Sequence, residues 1–389
     1  MRRLLVVLLS LYGVCSYAQW NFGGFGNGGG DLSSYTSKKD VDYVGDRQVY
    51  HSMDIYYPKE AKDSYPVIIH IYGSAWSSNN SKGSADLTSV GKAAVDAGYI
   101  FVAPNHRSNS DAQWPGQIND IKAVVRYLRG NSKSLKVDTS FIAISGFSSG
   151  GHLATMMGTS RNVREYTVGS TTMDIEGNLG DFTAFSSSVD AVCDWSGPVI
   201  LDKVNCGNAM DLNSFITPLF GNCSASQCPD KYALATAVTF IDPTDPPYMI
   251  VHGSTDNIVA QCQSEMLYEE LKKGGVECEY IPTNGSHGVN AEKCPNMIEF
   301  FNTAREKKAE AATSFESIKS EKLSLYLNDN KLFISDCDET ISYMIMDVTG
   351  KVVSRGMIDE KGIDVAFLSA GMYLICLNNV LNYKFLVDK

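Results

Sequence analysis

The chain has 389 residues, 44% of them hydrophobic, and a formal charge of -11 at pH 7. Such a length and composition allow one large domain with a full core plus a small second one, and exclude a wholly disordered chain. With no long run of Lys or Arg to neutralise a phosphate backbone, the acidic balance argues against nucleic-acid binding.

Arg2 and Arg3, the mostly apolar run Leu4 to Leu11 and the small residues of Ser16-Tyr17-Ala18 read as a secretory signal over 1–18, with the mature chain starting near Gln19. Cys15 invites a lipoprotein reading, but Val14 is not the small residue normally found beside a lipidated cysteine. No later stretch approaches the roughly 18–20 apolar residues that span a bilayer, so a soluble exported protein without a transmembrane span is expected. Asn21 to Gly30 is Gly-rich with little apolar surface, and 19–39 is expected to be a flexible lead-in to a globular part starting near Asp40.

Short apolar runs follow at Pro66 to Tyr72, Tyr99 to Pro104, Phe141 to Ser145, Ser188 to Trp195, Pro247 to His252 and Val276 to Ile281, each with the look of a buried parallel strand. Between them, Ser84 to Ala97, Pro115 to Gly130, Ser149 to Thr159 and Gln261 to Lys273 carry apolar residues at helical spacing, with Gly98, Gly130 and Gly274 as stops. This alternation predicts a doubly wound, mostly parallel α/β sheet over 40–304. Apolar periodicity then fades into charged, Ala-rich sequence, expected to end a helix and form a linker over 305–321. Six strand-like runs from Leu323 to Val387, broken by Asn-Asp, Thr-Gly and Lys-Gly turns, predict a small β-sandwich over 322–389.

Apart from Cys15 and from Cys193 in an apolar run, an oxidising compartment makes disulfides expected among Cys206, Cys223, Cys228, Cys262, Cys278, Cys294, Cys337 and Cys376, without fixing their connectivity. Zinc at Cys223 and Cys228 is the alternative, but no second pair of ligand spacing accompanies them.

Gly146-Phe147-Ser148-Ser149-Gly150 follows one expected strand and precedes a helix, the context of a nucleophile elbow, in which flanking glycines let the chain turn sharply under an exposed serine hydroxyl. It resembles the elbow of the α/β-hydrolase fold. A serine needs a base. Of six histidines, His51, His70, His106, His152 and His252 have structural readings in strands, a helix or nearby loops, whereas His287 lies in the glycine-containing loop Asn284 to Gly288, where that fold carries its base. Asp256, on the loop after the run Pro247 to His252, falls between serine and histidine in the order expected of the acid. Asp194 ends an earlier strand, and Asp242 and Asp245 enter theirs from the far end. The oxyanion donors are expected from the N–H of Ser149 and from Ser74 or Ala75 in the loop Tyr72-Gly73-Ser74-Ala75-Trp76, with Trp76 lining an acyl or sugar pocket or else packed as a loop aromatic. Pocket depth is expected to depend on Ser77 to Gly83 and Cys206 to Cys228.

With Pro104-Asn105-His106-Arg107, Pro115 to Asp120, Asp194-Trp195-Ser196-Gly197-Pro198 and Asp245-Pro246-Pro247 added, the chain from about Val41 to Phe301 resembles the bifunctional feruloyl and acetylxylan esterases. It departs from their His-Gly-Gly-Gly-Trp loop at Tyr72, Ser74 and Ala75. The resemblance implies cofactor-free, metal-free removal of acetyl or hydroxycinnamoyl groups from cell-wall polysaccharide such as xylan. The tail, through Met346 to Lys351, Ile363-Asp364-Val365, Leu368 to Tyr373 and Lys384-Phe385, resembles the C-terminal sorting domain of the type IX (Por) secretion system, implying passage across an outer membrane with that machinery as partner. A carbohydrate-binding role for the tail is the alternative, though it contains no Trp. For the whole chain, the rival readings are a prolyl-oligopeptidase-like peptidase, whose large propeller has no room here, and a non-catalytic binding protein on the same fold.

Overall fold

In the computed structural model, which describes residues 32–320, 325–328, 331–334, 341–347, 351–358, 362–377 and 381–387, contacts divide the chain into Met1–Phe300 and Phe301–Lys389. The expected signal sequence, most of the Gly-rich lead-in, Cys15 and Cys337 lie outside the described residues.

The first unit is built on β1 (Ser37–Asp42), β2 (Ser52–Tyr56), β3 (Tyr65–Ile71), β4 (Ile100–Pro104), β5 (Val137–Phe147), β6 (Ala191–Trp195), β7 (Tyr248–Gly253) and β8 (Cys278–Thr283), in the spatial order β1-β2-β4-β3-β5-β6-β7-β8. β2 runs antiparallel to both β1 and β4, and every other neighbouring pair is parallel. β3, β4, β6 and β7 are buried residue by residue, as in a sheet covered on both faces, so they read as continuous apolar runs. Helices α1 (Lys92–Asp96), α2 (Gly116–Gly130), α3 (Ser149–Thr159) and α4 (Cys262–Lys273) lie in the crossovers, and α5 (Cys294–Ser320) follows β8. From β3 the chain crosses to β4 on one side, then returns to β5 on the other. The carboxyl ends of β3 and β5 therefore flank a topological switch point, where open α/β sheets leave a crevice for ligands. The loop Tyr72–Trp76 and Ser148 both emerge there.

Two expectations need correction. The globular part starts before Asp40: Leu32 is buried, and β1 begins at Ser37, paired with Tyr56 of β2. Its first four residues are all exposed, so this edge strand is polar and offers no apolar alternation to read. The segment 305–321 is not a linker, because α5 continues through Ser320. Ala, Glu and Lys are strong helix formers, and the exposed stretch Glu306 to Ala311 is helical without an apolar stripe. As expected, disulfides form, Cys206 with Cys262 and Cys223 with Cys228, which leaves the zinc alternative at Cys223 and Cys228 aside. Cys193, Cys294 and Cys376 are buried thiols and Cys278 is half-buried.

Among the elements not anticipated is the hairpin of Glu165–Val168 and Thr171–Asp174. It is anchored where Lys122 and Arg126 of α2, both buried, bind the Glu176 carboxylate at 3.1 and 2.6 Å.

In the second unit, β9 (Leu325–Asn328), β10 (Lys331–Ile334) and β13 (Ile363–Asp364) form one antiparallel sheet in the order β9-β10-β13. β11 (Ile341–Asp347), β12 (Val352–Ile358), β14 (Gly371–Leu377) and β15 (Leu381–Val387) form another in the order β12-β11-β14-β15. Leu332 and Ile363 from the first share one core with Ile345, Ile375 and Leu377 from the second, which makes a small sandwich.

Candidate active site

Ser148 sits between β5 and α3 with φ 56° and ψ -122°, outside the conformations a serine ordinarily adopts. The turn closes only because its flanks are glycine: a Cβ on Gly146 would lie 2.0 Å from the Gly150 carbonyl oxygen, and one on Gly150 would lie 2.1 Å from the Ile71 carbonyl oxygen. The Ser148 N–H donates to the Trp195 carbonyl at 2.9 Å, tying the turn to β6. The hydroxyl is thereby held out over the crevice at the N-terminus of α3.

The loops after β7 and β8 are laced together. Ser254 N–H donates to Thr283 O at 2.8 Å and Thr255 N–H to Gly285 O at 2.9 Å, while a Cβ on Gly253 would lie 2.4 Å from the Gly285 carbonyl oxygen. This closeness brings Asp256 and His287 together across 31 positions of sequence: His287 Nδ1 lies 2.7 Å from Asp256 Oδ2, and His287 Nε2 lies 2.9 Å from Ser148 Oγ. The Phe147 ring, with its centroid 4.7 Å from that of the imidazole, braces the histidine.

Asp256 has a fully buried side chain. Burial alone would raise its pKa, but hydrogen bonds from His252 and His287, the charge of His287 and the N–H of Ile258 outweigh it and hold the carboxyl well below the usual carboxylate range. Its Oδ1 accepts from the N–H groups of Ile258 and Val259, each at 2.9 Å. The carboxylate stays ionised at neutral pH and orients the imidazole so that Nε2 can accept a proton from the serine.

The sequence pattern assigned His252 only a structural place. Its Nδ1 lies 2.7 Å from Ser264 Oγ, and its Nε2 lies 3.0 Å from the Val259 carbonyl and 3.3 Å from Asp256 Oδ2. It is therefore a second imidazole on the acid, and the signal was its place at the end of β7, four residues before Asp256. The other histidines are engaged elsewhere: His51 with Asp46 and Asp120, His70 with Ser145 and Asp86, His106 with the Arg107 carbonyl. Asp194, buried beneath the elbow, accepts from Gly197 N–H at 2.9 Å, and burial pushes its carboxyl up to about 7.

In the loop after β3, Ala75 and Trp76 both have positive φ, at 50° and 56°, so the chain turns in the left-handed sense although two of the three glycines of the related His-Gly-Gly-Gly-Trp loop are replaced here. The Ser74 N–H is taken by Ser149 Oγ at 2.9 Å. With that N–H taken, Ala75 and Ser149, which opens α3, are the expected donors whose N–H groups could serve an oxyanion. Trp76, expected either to line a pocket or to pack as a loop aromatic, is packed and borders the cleft. It is 1% exposed, with its Nε1 3.3 Å from His152 Nδ1, and it also forms part of the wall of the cleft beside Ser148. Pro198, Met210, Leu212, Phe215, Ile258 and Val259 form the rest of that wall. Of the two loops expected to set its depth, Cys206 to Cys228 contributes, whereas Ser77 to Gly83 does not: Asn79 turns to Asp111 and Asn80 to Asn105.

Residues 53–271, more than half of the chain, match BD-FAE, the bifunctional feruloyl/acetyl xylan esterase domain. The chain belongs to the BD-FAE family. A solved truncated form of a carbohydrate esterase from gut microbiota is 38% identical, aligned over 72% of this chain and 100% of that one with a TM-score of 0.68. A bifunctional GH43-CE protein of Bacteroides eggerthii is 41% identical over 69% of this BD-FAE chain and 35% of its own, with a TM-score of 0.66. Esterase LipQ of Mycobacterium tuberculosis is 25% identical over 54% of this chain and 46% of its own length. The chain thus spans about half the length of the curated mycobacterial relatives it matches. Residues 324–387 match the secretion system C-terminal sorting domain, and no described helix is long and apolar enough to cross a membrane.

Proposed function

We propose that this BD-FAE chain is a serine carboxylester hydrolase that deacylates plant cell-wall polysaccharide, acetyl or feruloyl esters of xylan in particular. A signal peptide over 1–18 and the sorting domain take it out of the cell through the Por machinery. The observation that supports this reading is the unbroken chain of contacts from Ser148 to His287 to Asp256, at 2.9 and 2.7 Å. The carbohydrate esterase named among the solved relatives supports the substrate class.

In this reading His287 Nε2 takes the hydroxyl proton as Ser148 Oγ bonds to the ester carbonyl carbon. The carbonyl oxygen becomes an oxyanion on the N–H groups of Ala75 and Ser149, and each such donor is worth about 3 kcal/mol of barrier. The imidazolium, stabilised by Asp256, gives its proton to the departing sugar oxygen, which leaves an acyl-enzyme. Water then enters, loses a proton to His287 and releases the acid and the serine.

The test is to incubate the purified chain and its Ser148→Ala variant with acetylated and feruloylated xylan and to measure the free acids. Acid release by the wild type alone is the expected result. Equal release by both would remove Ser148 from the chemistry, and faster turnover of a prolyl-nitroanilide than of p-nitrophenyl acetate would replace the esterase with a peptidase.

A further inference from the structure

The loop after β3 adopts a backbone that its own residues resist. Ala75 and Trp76 stand in succession in the left-handed region, where an L-residue is disfavoured by roughly 5- to 30-fold in population. The related His-Gly-Gly-Gly-Trp loop has glycine where this chain has Ala75, and glycine enters that region freely. Strain of this kind persists only where the surroundings over-determine it. Gly73 lets the loop run directly against the elbow, since a Cβ there would lie 2.8 Å from Ser148 Cβ, and Ala75 borders the cleft beside Ser148.

The restraint comes from α3. Ser149 and His152 are three residues apart on that helix, so their side chains share a face. Ser149 Oγ accepts from the Ser74 N–H at 2.9 Å and His152 Nδ1 from the Trp76 indole N–H at 3.3 Å, one residue either side of Ala75. Because Ser149 follows Ser148 directly, this grip sets Ala75 in register with the nucleophile itself.

Both arms are themselves fixed, for Ser149 and His152 are buried. The Ala235 carbonyl, 2.7 Å from His152 Nε2, can only accept, so Nε2 carries the proton and Nδ1 presents the lone pair that takes the indole N–H. Burial pushes the pKa of this imidazole down to about 4, which keeps it neutral and accepting at neutral pH. The loop has other ties: the Trp76 carbonyl accepts from the Asn109 N–H at 2.8 Å, and the Ser74 carbonyl from the Ser77 N–H at 3.0 Å. Neither reaches α3, so they leave the registration against the elbow to Ser149 and His152.

We propose that the Ser149 hydroxyl, with His152 as a second arm, is a positioning group that holds the Ala75 N–H where the oxyanion forms, an inference that rests on the esterase reading above. Ser149→Ala keeps the backbone N–H of that residue, so the variant isolates the hydroxyl. With one tie gone, Ala75 leaves the left-handed well part of the time, and a donor that acts in the transition state is lost with it. The penalty therefore falls on kcat. The experiment measures kcat and KM of the full chain for p-nitrophenyl acetate, per site titrated to completion with a p-nitrophenyl phosphonate, in the wild type, Ser149→Ala, Ala75→Gly and the double variant. Ser149→Ala is expected to lower kcat at least ~10-fold with KM within about twofold, part of the roughly 10²–10³ that losing a whole donor costs. In the Ala75→Gly background the left-handed turn no longer needs holding, and the same substitution should cost at least ~3-fold less. A hydroxyl that only packs would lower the Tm and leave kcat per titrated site untouched. That result, or an equal loss in both backgrounds, overturns the proposal while the esterase stands. If Ser149→Ala does not fold, Trp76→Phe, which keeps an aromatic ring and removes the indole N–H, takes its place with the same expectations. A wild type that neither hydrolyses the ester nor takes the phosphonate on Ser148 would instead sink the esterase reading, and the proposal with it.

Discussion

Replacing Asp256 by Asn keeps the shape of the side chain and removes its charge, and the structure fixes what the amide must do. The carboxylate accepts four hydrogens: two from the N–H groups of Ile258 and Val259 on Oδ1, and those of His287 and His252 on Oδ2. An amide has one accepting end. If its oxygen keeps the two backbone donors, its NH₂ faces His287 Nδ1, and the imidazole must move its proton to Nε2. That nitrogen then points a proton at Ser148 Oγ and can no longer take one. If the amide flips, the backbone donors are lost at about 1 kcal/mol each and the two NH₂ hydrogens meet them head-on. The first arrangement is cheaper, and a misplaced tautomer in a site of this kind costs about 10⁴ in kcat, or roughly 5.5 kcal/mol of barrier. Initial rates with p-nitrophenyl acetate, alongside a thermal melt showing that the variant is folded, would measure it. A folded Asp256→Asn enzyme within about tenfold of the wild-type kcat would refute the assigned role.

Three further outcomes are expected. Asp194→Asn removes a buried carboxyl whose pKa burial raises to about 7. A raised acid pKa gives stability that is full below the unfolded value near 3.9 and is lost as pH rises toward 7, so the Tm of the variant relative to wild type should climb between pH 4 and pH 7 by an amount equivalent to as much as ~4 kcal/mol; a constant difference would contradict this. His252→Asn should lower kcat about fivefold, the size of one long hydrogen bond to the acid, while His252→Gln, which keeps a donor near Nε2, should lose less; equal rates for both variants would leave His252 a packing residue. Cys206→Ser/Cys262→Ser opens a loop of 56 residues and should cost up to ~4 kcal/mol in chemical denaturation, against no change if the bond does not form.

Much of the site was legible because its parts are local patterns with a mechanical cause. Glycines at 146 and 150 stand where a side chain would strike backbone, and the apolar run before Ser148 and the helix after it set the direction of the turn. Asp256 could be placed because it follows β7, a continuous apolar strand, and His287 because it sits in a glycine-containing loop after the last strand of the sheet, although that strand is half exposed. What escaped was long-range or solvent-facing. The polar edge strand β1 and the exposed hairpin at 165–174 bury too little to pattern their sequences. The helical continuation through Ser320 looked like a linker because solvated helix and linker share a composition. The occupation of the Ser74 N–H by the Ser149 hydroxyl, and the approach of His252 to Asp256, are contacts of side chains that sequence spacing does not specify.

The central claim is that Ser148 Oγ is made nucleophilic by His287. Its most direct measurement is covalent trapping: the chain is treated with a p-nitrophenyl phosphonate at neutral pH, digested, and mapped by mass spectrometry. One adduct per chain on the peptide carrying Ser148, absent from Ser148→Ala and greatly slowed in His287→Ala, is the expected result. Labelling at another residue, or labelling of Ser148 at the same rate without His287, would contradict the account.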